Sequence, residues 1–269
     1  MTQSSEFYTH GHHESVLRSH RWRTVENSAA YLAPYLAPGM NVLDVGCGPG
    51  SISADLARLV RPGRVVALDN IPDVIERARD DIAGDGTDNI QFVVGDVYEL
   101  DVTADTFDVV HAHQVLQHLA EPVLALQEMR RVCASGGMVA ARDVDYAAMT
   151  WYPSDPVLDR WLALHREIMR SRGGEPDAGR RLHVWAREAG FSDVASSASV
   201  WCFSSGEDRR LWGETWAERV TSSKTATVAV EQDLATPAEL EEIAAAWRRW
   251  AEHEAGWFAA LHGEVLCRV

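Results

Sequence analysis

A formal net charge of −15 over 269 residues argues against a nucleic-acid substrate, whose binding surface is normally basic. Hydrophobic residues make up 46% of the chain, yet no apolar run approaches the roughly 18 residues that a membrane span needs. The length suits one large α/β domain with a full core. Cys47, Cys133, Cys202 and Cys267 lack metal or disulfide spacing, and Met1–Glu6 lacks the basic and apolar parts of a secretory signal; both point to a reducing cytoplasm.

The first patterned segment is Val42-Leu43-Asp44-Val45-Gly46-Cys47-Gly48-Pro49-Gly50. It reads as a buried strand running into a turn built from glycine, whose missing Cβ lets a ligand lie against the main chain. A helix is expected behind it, with Ile52, Leu56, Leu59 and Val60 on one face. The spacing Gly46-x-Gly48-x-Gly50 is not the G-x-G-x-x-G of a dinucleotide site. A second strand, Arg64 to Asp69, ends in a carboxylate 25 residues after Asp44, followed by Asn70 and Ile71. An acid placed so can sit at the neighbouring strand tip and accept ribose hydroxyls. A third strand, Ile90 to Val97, again ends in an acid, Asp96. Each aspartate alone has a plainer reading as a turn or helix cap; three at regular spacing do not. Thr106 to His113 is a fourth strand, Pro122 to Val132 a helix, and Arg130 to Val139 a glycine-paired turn into a fifth strand that ends near Tyr146.

From about Tyr31 to Asp145 this series resembles the class I S-adenosylmethionine (SAM)-dependent methyltransferases, most of all the ubiquinone/menaquinone-biosynthesis type and its small-molecule relatives. Cys133, Ala134 and Ser135 depart from the usual residues of the fifth-strand turn, whose two glycines stay. The resemblance implies an α/β fold: a Rossmann-like seven-stranded sheet with helices on both faces, an N-terminal helical lid and helical cap insertions. It implies one domain, 1–269, divided into a lid (1–36), a SAM-binding core (37–147) and substrate-side helices with the last strands (148–269). SAM is the implied cofactor and S-adenosylhomocysteine its product. By the same resemblance the turn of Gly46, Cys47, Gly48 and Gly50 meets the methionine end, Asp69 the ribose, Ile71 the adenine, Asp96 the adenine amino group and Val97 its ring, and His113 lies near the methyl group; Asp44 and Asn70 are further expected cofactor residues.

After the fifth strand, Asp155-Pro156 caps a helix carrying Val157, Leu158, Trp161, Leu162, His165, Ile168 and Met169. A helix is expected over Ala178 to Ala189, a strand over Ser192 to Phe203, helices over Asp208 to Val220 and Thr236 to Glu254, and a closing strand over Trp257 to Val269. Thr236-Pro237-Ala238-Glu239 is a capping box. The order matches a helical cap inserted between the sixth and seventh strands. Of ten tryptophans, Trp151, Trp161, Trp212, Trp216, Trp247, Trp250 and Trp257 lie here. They suit an aromatic substrate pocket, or the core and dimer contacts that large aromatics dominate.

Histidines cluster at His10, His12, His13 and His20 and again at His111, His113 and His118. No H-E-x-x-H helix accompanies them, so no metal is expected. His118 reads as a packing or capping residue, and the N-terminal set either folds over the cofactor or lies exposed on an arm. Methyl transfer is an in-line displacement at a sulfonium methyl, where alignment can contribute ~7–11 kcal/mol. A base is needed only if the nucleophile carries a proton, and His113 is the candidate. Tyr8, His12 and Asp143 are the candidate substrate contacts. The expected partner is a small-molecule methyl acceptor at O, N or C, with a second copy of the chain open. Two other functions stay open: SAM binding without catalysis, and a nucleotide-dependent oxidoreductase.

Overall fold

The computed structural model describes residues 22–83 and 86–269. Five short apolar runs become parallel strands: β1 (Val42–Val45), β2 (Val65–Asp69), β3 (Ile90–Val94), β4 (Phe107–His113) and β5 (Cys133–Val144). They pair in the order β3-β2-β1-β4-β5. β8 (Trp257–Arg268) runs antiparallel to β5 over residues 262–268 and to the short β6 (Thr150–Tyr152) over 257–259; its other edge carries β7 (Asp193–Phe203), also antiparallel. The sheet therefore has eight strands rather than seven, the addition being the three-residue β6 in a segment without a strand signal.

Helices cover both faces. On one lie the single-turn α1 (Val25–Ser28), α2 (Ser51–Val60) and α3 (Pro72–Ile82); Val25 of α1 with Ile52, Leu56 and Val60 of α2 meets Val42, Val65, Val109 and Ala140, and Ile75 of α3 meets Cys47 and Ala67. On the other lie α4 (Pro122–Val132) and α6 (Leu182–Glu188), whose Leu126, Met129 and Leu182 meet Leu43, Val45, Val110 and Val139. Strand residues alternate between the two cores, as the two-residue period requires. The interval expected as one helix over 178–189 splits into a 3₁₀ turn, Ala178–Arg181, and α6. The paired glycines lie inside an irregular start of β5: Phe107 pairs with Cys133 and Val109 with Met138, so residues 134–137 are looped out of the ladder.

A separate core forms from α5 (Pro156–Ser171), α7 (Gly206–Ser222), α8 (Lys224–Glu231) and α9 (Pro237–Glu252), with Trp201, Phe203 and Phe258 of the outer strands. α5 starts where expected, with the Asp155 carboxylate accepting Val157 N at 2.8 Å. In α9 Thr236 and Glu239 cap each other reciprocally, at 2.8 and 3.2 Å. Trp161 sits edge-on to Trp216 and Trp247, with ring centroids 4.6 and 4.7 Å away. The helix α8 had no expectation. Among the described residues no helix is long and apolar enough to cross a membrane.

Candidate functional site

At the carboxyl ends of β1, β2, β3 and β4 the sheet opens into a cleft, where parallel sheets of this kind place ligands. Its floor is the turn after β1. Gly46, Gly48 and Gly50 all have positive φ (65°, 55° and 80°), which is cheap only for glycine. At Gly46 a Cβ would also run into the Val115 side chain, so the tightest part of the floor is bare main chain. Cys47 N donates to Leu68 O (2.9 Å), and Gly48 N donates to the Asp69 carboxylate (3.1 Å). The β1 turn is thus tied to the tip of β2.

The acids at the strand ends hold this geometry. Asp44 is buried; one carboxylate oxygen accepts from Ser53 Oγ (2.5 Å) and the other meets His111 Nδ1 (2.7 Å). Asp69 also accepts Ile71 N (3.1 Å), and Asp96 accepts Tyr98 N (2.9 Å). All three line the cleft together with Gly46, Cys47, Gly48, Asn70, Ile71, Val97 and His113. Of the eleven residues expected at a cofactor, only Gly50 stands away: it is the N-cap of α2, and a Cβ there would meet Ile82 and Phe92. Burial, with Asp69 and Asp44 nearby, pushes the Cys47 thiol well above its ordinary pKa, so it is not a thiolate nucleophile.

The β4 end brings further groups together. His113 is buried, and neither ring nitrogen has a hydrogen-bond partner among the described residues. Burial first, then the charges of Arg142 and Arg23, hold it well below 6.5 and therefore neutral. Gln114 follows with φ +54°, an uncommon conformation for a side-chain-bearing residue and one that concentrates at functional sites. Its amide is clamped: Arg23 Nη2 donates to Oε1 (2.9 Å), and Nε2 lies 2.8 Å from His262 Nε2. His262 Nδ1 lies 3.0 Å from Ala260 O, so the imidazole donates there and accepts from Gln114. Arg23 is delivered from just before α1, where Thr24 forms a capping box with Asn27. Trp201 Nε1 donates to Asn27 O (2.6 Å) and fastens that segment to β7.

Gln114 and Arg23 are shared with a second, narrower chamber. Tyr146, Met149, Trp201, Trp212, Trp216, Arg219 and His262 line it. Three tryptophans of the helical core therefore also form chamber walls, while Trp161, Trp247 and Trp250 of the same core do not line it.

Some expectations move. His118, expected to pack or cap, lines the cleft, and burial drives it down to about 3. Asp143, expected at the substrate, is fully buried on the opposite face of β5 from Arg142 and accepts Gln117 N (3.3 Å); it lines neither cavity. Burial lifts it to about 8. Tyr8 and His12, with the other N-terminal histidines, lie outside the described residues. Arg23, Gln114, Val115 and Leu119 line the cleft without having been expected there. Among the described residues no group of three or more His, Cys, Asp or Glu converges as a metal site would.

Comparison with known proteins adds the chemistry. A methyltransferase-domain family matches residues 36–183. An uncharacterized methyltransferase of Schizosaccharomyces pombe is 32% identical, over 97% of this chain and 95% of its own length. The probable methyltransferase ltbC of Aspergillus luteorubrus is 30% identical over 98% of both chains. Among solved structures, phosphoethanolamine N-methyltransferase 2 of Haemonchus contortus in complex with S-adenosyl-L-methionine shares the fold at 15% identity. Its TM-score is 0.56, with 89% of this chain and 51% of that one covered.

Proposed function

This chain belongs to the class I SAM-dependent methyltransferases, and from that premise we propose that it methylates a small molecule that enters beside His113 and Gln114. SAM is its cofactor. We assign Asp69 to the ribose hydroxyls, Ile71 and Val97 to the adenine faces, Asp96 to the adenine edge, and the main chain of Gly46 to Gly48 to the methionine end. Asp44, with both oxygens engaged by Ser53 and His111, positions the turn. The observation that carries the reading is the convergence of Asp69 and Asp96, from two strand tips, on one cleft floored by bare glycine main chain. Three lining carboxylates also suit a cationic sulfonium, which has no phosphate for a helix N-terminus to hold. We read 37–147 as the cofactor part and 148–269 as the acceptor side; Arg23, from the segment before α1, supports a lid role for the N-terminal part.

The cofactor supplies an electrophilic methyl group, and the chain must align a nucleophile with it and exclude water. Gln114, clamped from both sides, fixes the edge where the acceptor meets the cleft. His113 is neutral and able to accept a hydrogen bond from the nucleophile. Its lowered basicity makes it a weak proton acceptor, so it serves an acceptor that is itself acidic or loses its proton late.

Calorimetry with SAM and with NAD tests the cofactor half: SAM should bind and NAD should not, and Asp96→Asn should weaken SAM. Transfer of labelled methyl from SAM to a panel of phenols, quinols and amines tests the rest. Tight NAD binding, or SAM affinity untouched in both Asp69→Asn and Asp96→Asn, would sink these assignments.

A further inference from the structure

Gln114 forms the wall between the cleft and the narrower chamber and lines both. Its backbone N–H donates to Arg142 O (2.7 Å), which fixes the residue against β5, and its two amide partners fix which way the amide points. The Arg23 guanidinium can only donate, so the atom facing it is Oε1. On the other side Ala260 O can only accept, so His262 carries its proton on Nδ1. Burial first, then the Arg142 charge, hold that ring well below 6.5 and neutral. Its Nε2 therefore takes one N–H of Gln114. An amide nitrogen has two N–H donors, so one remains. Trp212 lines the chamber as well; it is buried, and its indole N–H has no hydrogen-bond partner among the described residues. Buried donors are rarely left unpaired. Trp201 differs, its N–H being given to Asn27 O. The chamber measures about 20 Å³, room for one water-sized group, so the two N–H groups reach the same guest.

We propose that Gln114 and Trp212 are specificity-determining residues for the methyl acceptor, their N–H groups together holding a carbonyl oxygen that the acceptor carries. Such an oxygen has two lone pairs and no proton of its own to place, which matches a chamber for one small group with two neutral donors. Resting on the methyltransferase reading above, this names the acceptor class: a compact carbonyl compound whose nucleophile lies across Gln114, beside His113. A carbonyl conjugated with the nucleophile draws electron density from it and makes its proton more acidic. That suits a neighbouring imidazole of weak basicity, and the two donors meet the oxygen onto which the resulting charge spreads.

The test uses three probes of similar shape: para-fluoroacetophenone, para-fluoro-α-methylstyrene, in which a methylene replaces the carbonyl oxygen, and para-fluoro-α-methylbenzylamine, whose ammonium only donates. Each is titrated into full-length protein saturated with S-adenosylhomocysteine, so that no turnover occurs, with fluorine NMR line broadening as the readout. The ketone should bind about tenfold tighter than the alkene, which leaves both buried donors unpaired, and the ammonium should bind weakest. Trp212→Phe, which keeps a ring against Phe203, should cut the ketone-to-alkene ratio to about threefold. Gln114→Glu keeps an acceptor for Arg23 but offers no N–H, and should reverse the order of ketone and ammonium. A ketone-to-alkene ratio near one, no ketone binding at millimolar concentration, tighter binding of the ammonium by the wild-type protein, or a ranking unchanged in either folded variant would each overturn the proposal. Binding of S-adenosylhomocysteine, whose cleft Trp212 does not line, verifies the fold of Trp212→Phe. Should Gln114→Glu not fold, the wild-type ranking and Trp212→Phe decide. Failure of S-adenosylhomocysteine to bind the wild-type protein would instead strike the cofactor assignment; the probe ranking, repeated without it, still judges the chamber.

Discussion

The strand-tip cleft and the tryptophan-rich helical core are built on opposite principles. In the cleft, carboxylates and main-chain N–H groups hold one another: Asp69 ties Gly48 to Ile71, and Asp44 ties β1 to α2 through Ser53 and to β4 through His111. In the helical core, rings hold one another: Trp161 meets Trp216 and Trp247 edge to face, Trp216 stacks on Trp247, and Trp247 meets Phe258 at a tilt. Removing a side chain from the first should cost binding more than stability. Removing one from the second should cost stability first.

The largest effect should come from Trp161→Ala. The indole is 1% exposed and touches five other rings, those of Trp151, His165, Trp216, Trp247 and Phe258, and such a truncation leaves a cavity costing about 3–5 kcal/mol. Urea denaturation should show it, and cofactor affinity in the folded fraction should be unchanged. A loss below about 1 kcal/mol would mean that the four-helix core is not the rigid unit described.

Acid should come next, because both regions bury imidazoles: His118 lines the cleft and His165 lies on α5 of the helical core. His118 and His165 are both held near 3 by burial, against about 6.5 when unfolded. Their folded values are depressed, so the stability they carry is present above pH 6.5 and lost as pH falls toward 3. Each should contribute a slope of about 1.4 kcal/mol per pH unit below 6.5. His165→Phe, which keeps the ring contacts with Trp161 and Trp216, should make that acid limb shallower. An unchanged limb would show that His165 protonates without penalty.

The comparison also explains what the sequence could tell. Charged strand tips after β-rich runs have fixed spacing, so Asp44, Asp69 and Asp96 were legible, and so were the strands bearing them. The glycine turn serves two purposes that spacing does not separate: Gly46 leaves room for the neighbouring Val115, and Gly50 caps α2. The left-handed backbone of Gln114 was invisible, since nothing in a glutamine signals positive φ; a clamp of Arg23 and His262, far apart in sequence, imposes it. α8 escaped because Lys224-Thr-Ala-Thr-Val-Ala-Val-Glu231 alternates small and β-branched residues as a strand would, while packing against α7 and α5 makes it helical. Which tryptophans face the chamber and which face each other depends on how the helices stack, and helical spacing alone does not fix that.

Asp69→Ala tests the cleft directly. Losing a hydrogen bond to a charged group typically costs ~1.5–3 kcal/mol, so SAM affinity should fall at least tenfold by calorimetry. Stability should fall less than in Trp161→Ala. The reverse order would mean that Asp69 is a structural tie for the turn and not the ribose anchor.

The smallest effect probes the boundary between the two regions. Asp143 adjoins Arg142 on β5 and lines neither cavity; burial holds it near 8, and one carboxylate oxygen has no hydrogen-bond partner among the described residues. Its folded value is raised above the roughly 3.9 of an unfolded aspartate. The folded chain therefore keeps a proton that the unfolded chain has lost, and stability declines as pH rises toward 8. Between pH 6.5 and 8 the depressed imidazoles no longer contribute, so this carboxyl should dominate, with a slope of about 1.4 kcal/mol per pH unit. Asp143→Asn should flatten that segment and raise stability at pH 8, measured by urea melts at three pH values. It should leave SAM affinity alone, in contrast to Asp69→Ala. A persisting slope would place the proton elsewhere, and a tenfold loss of SAM would place Asp143 back at the ligand, although it lines neither cavity.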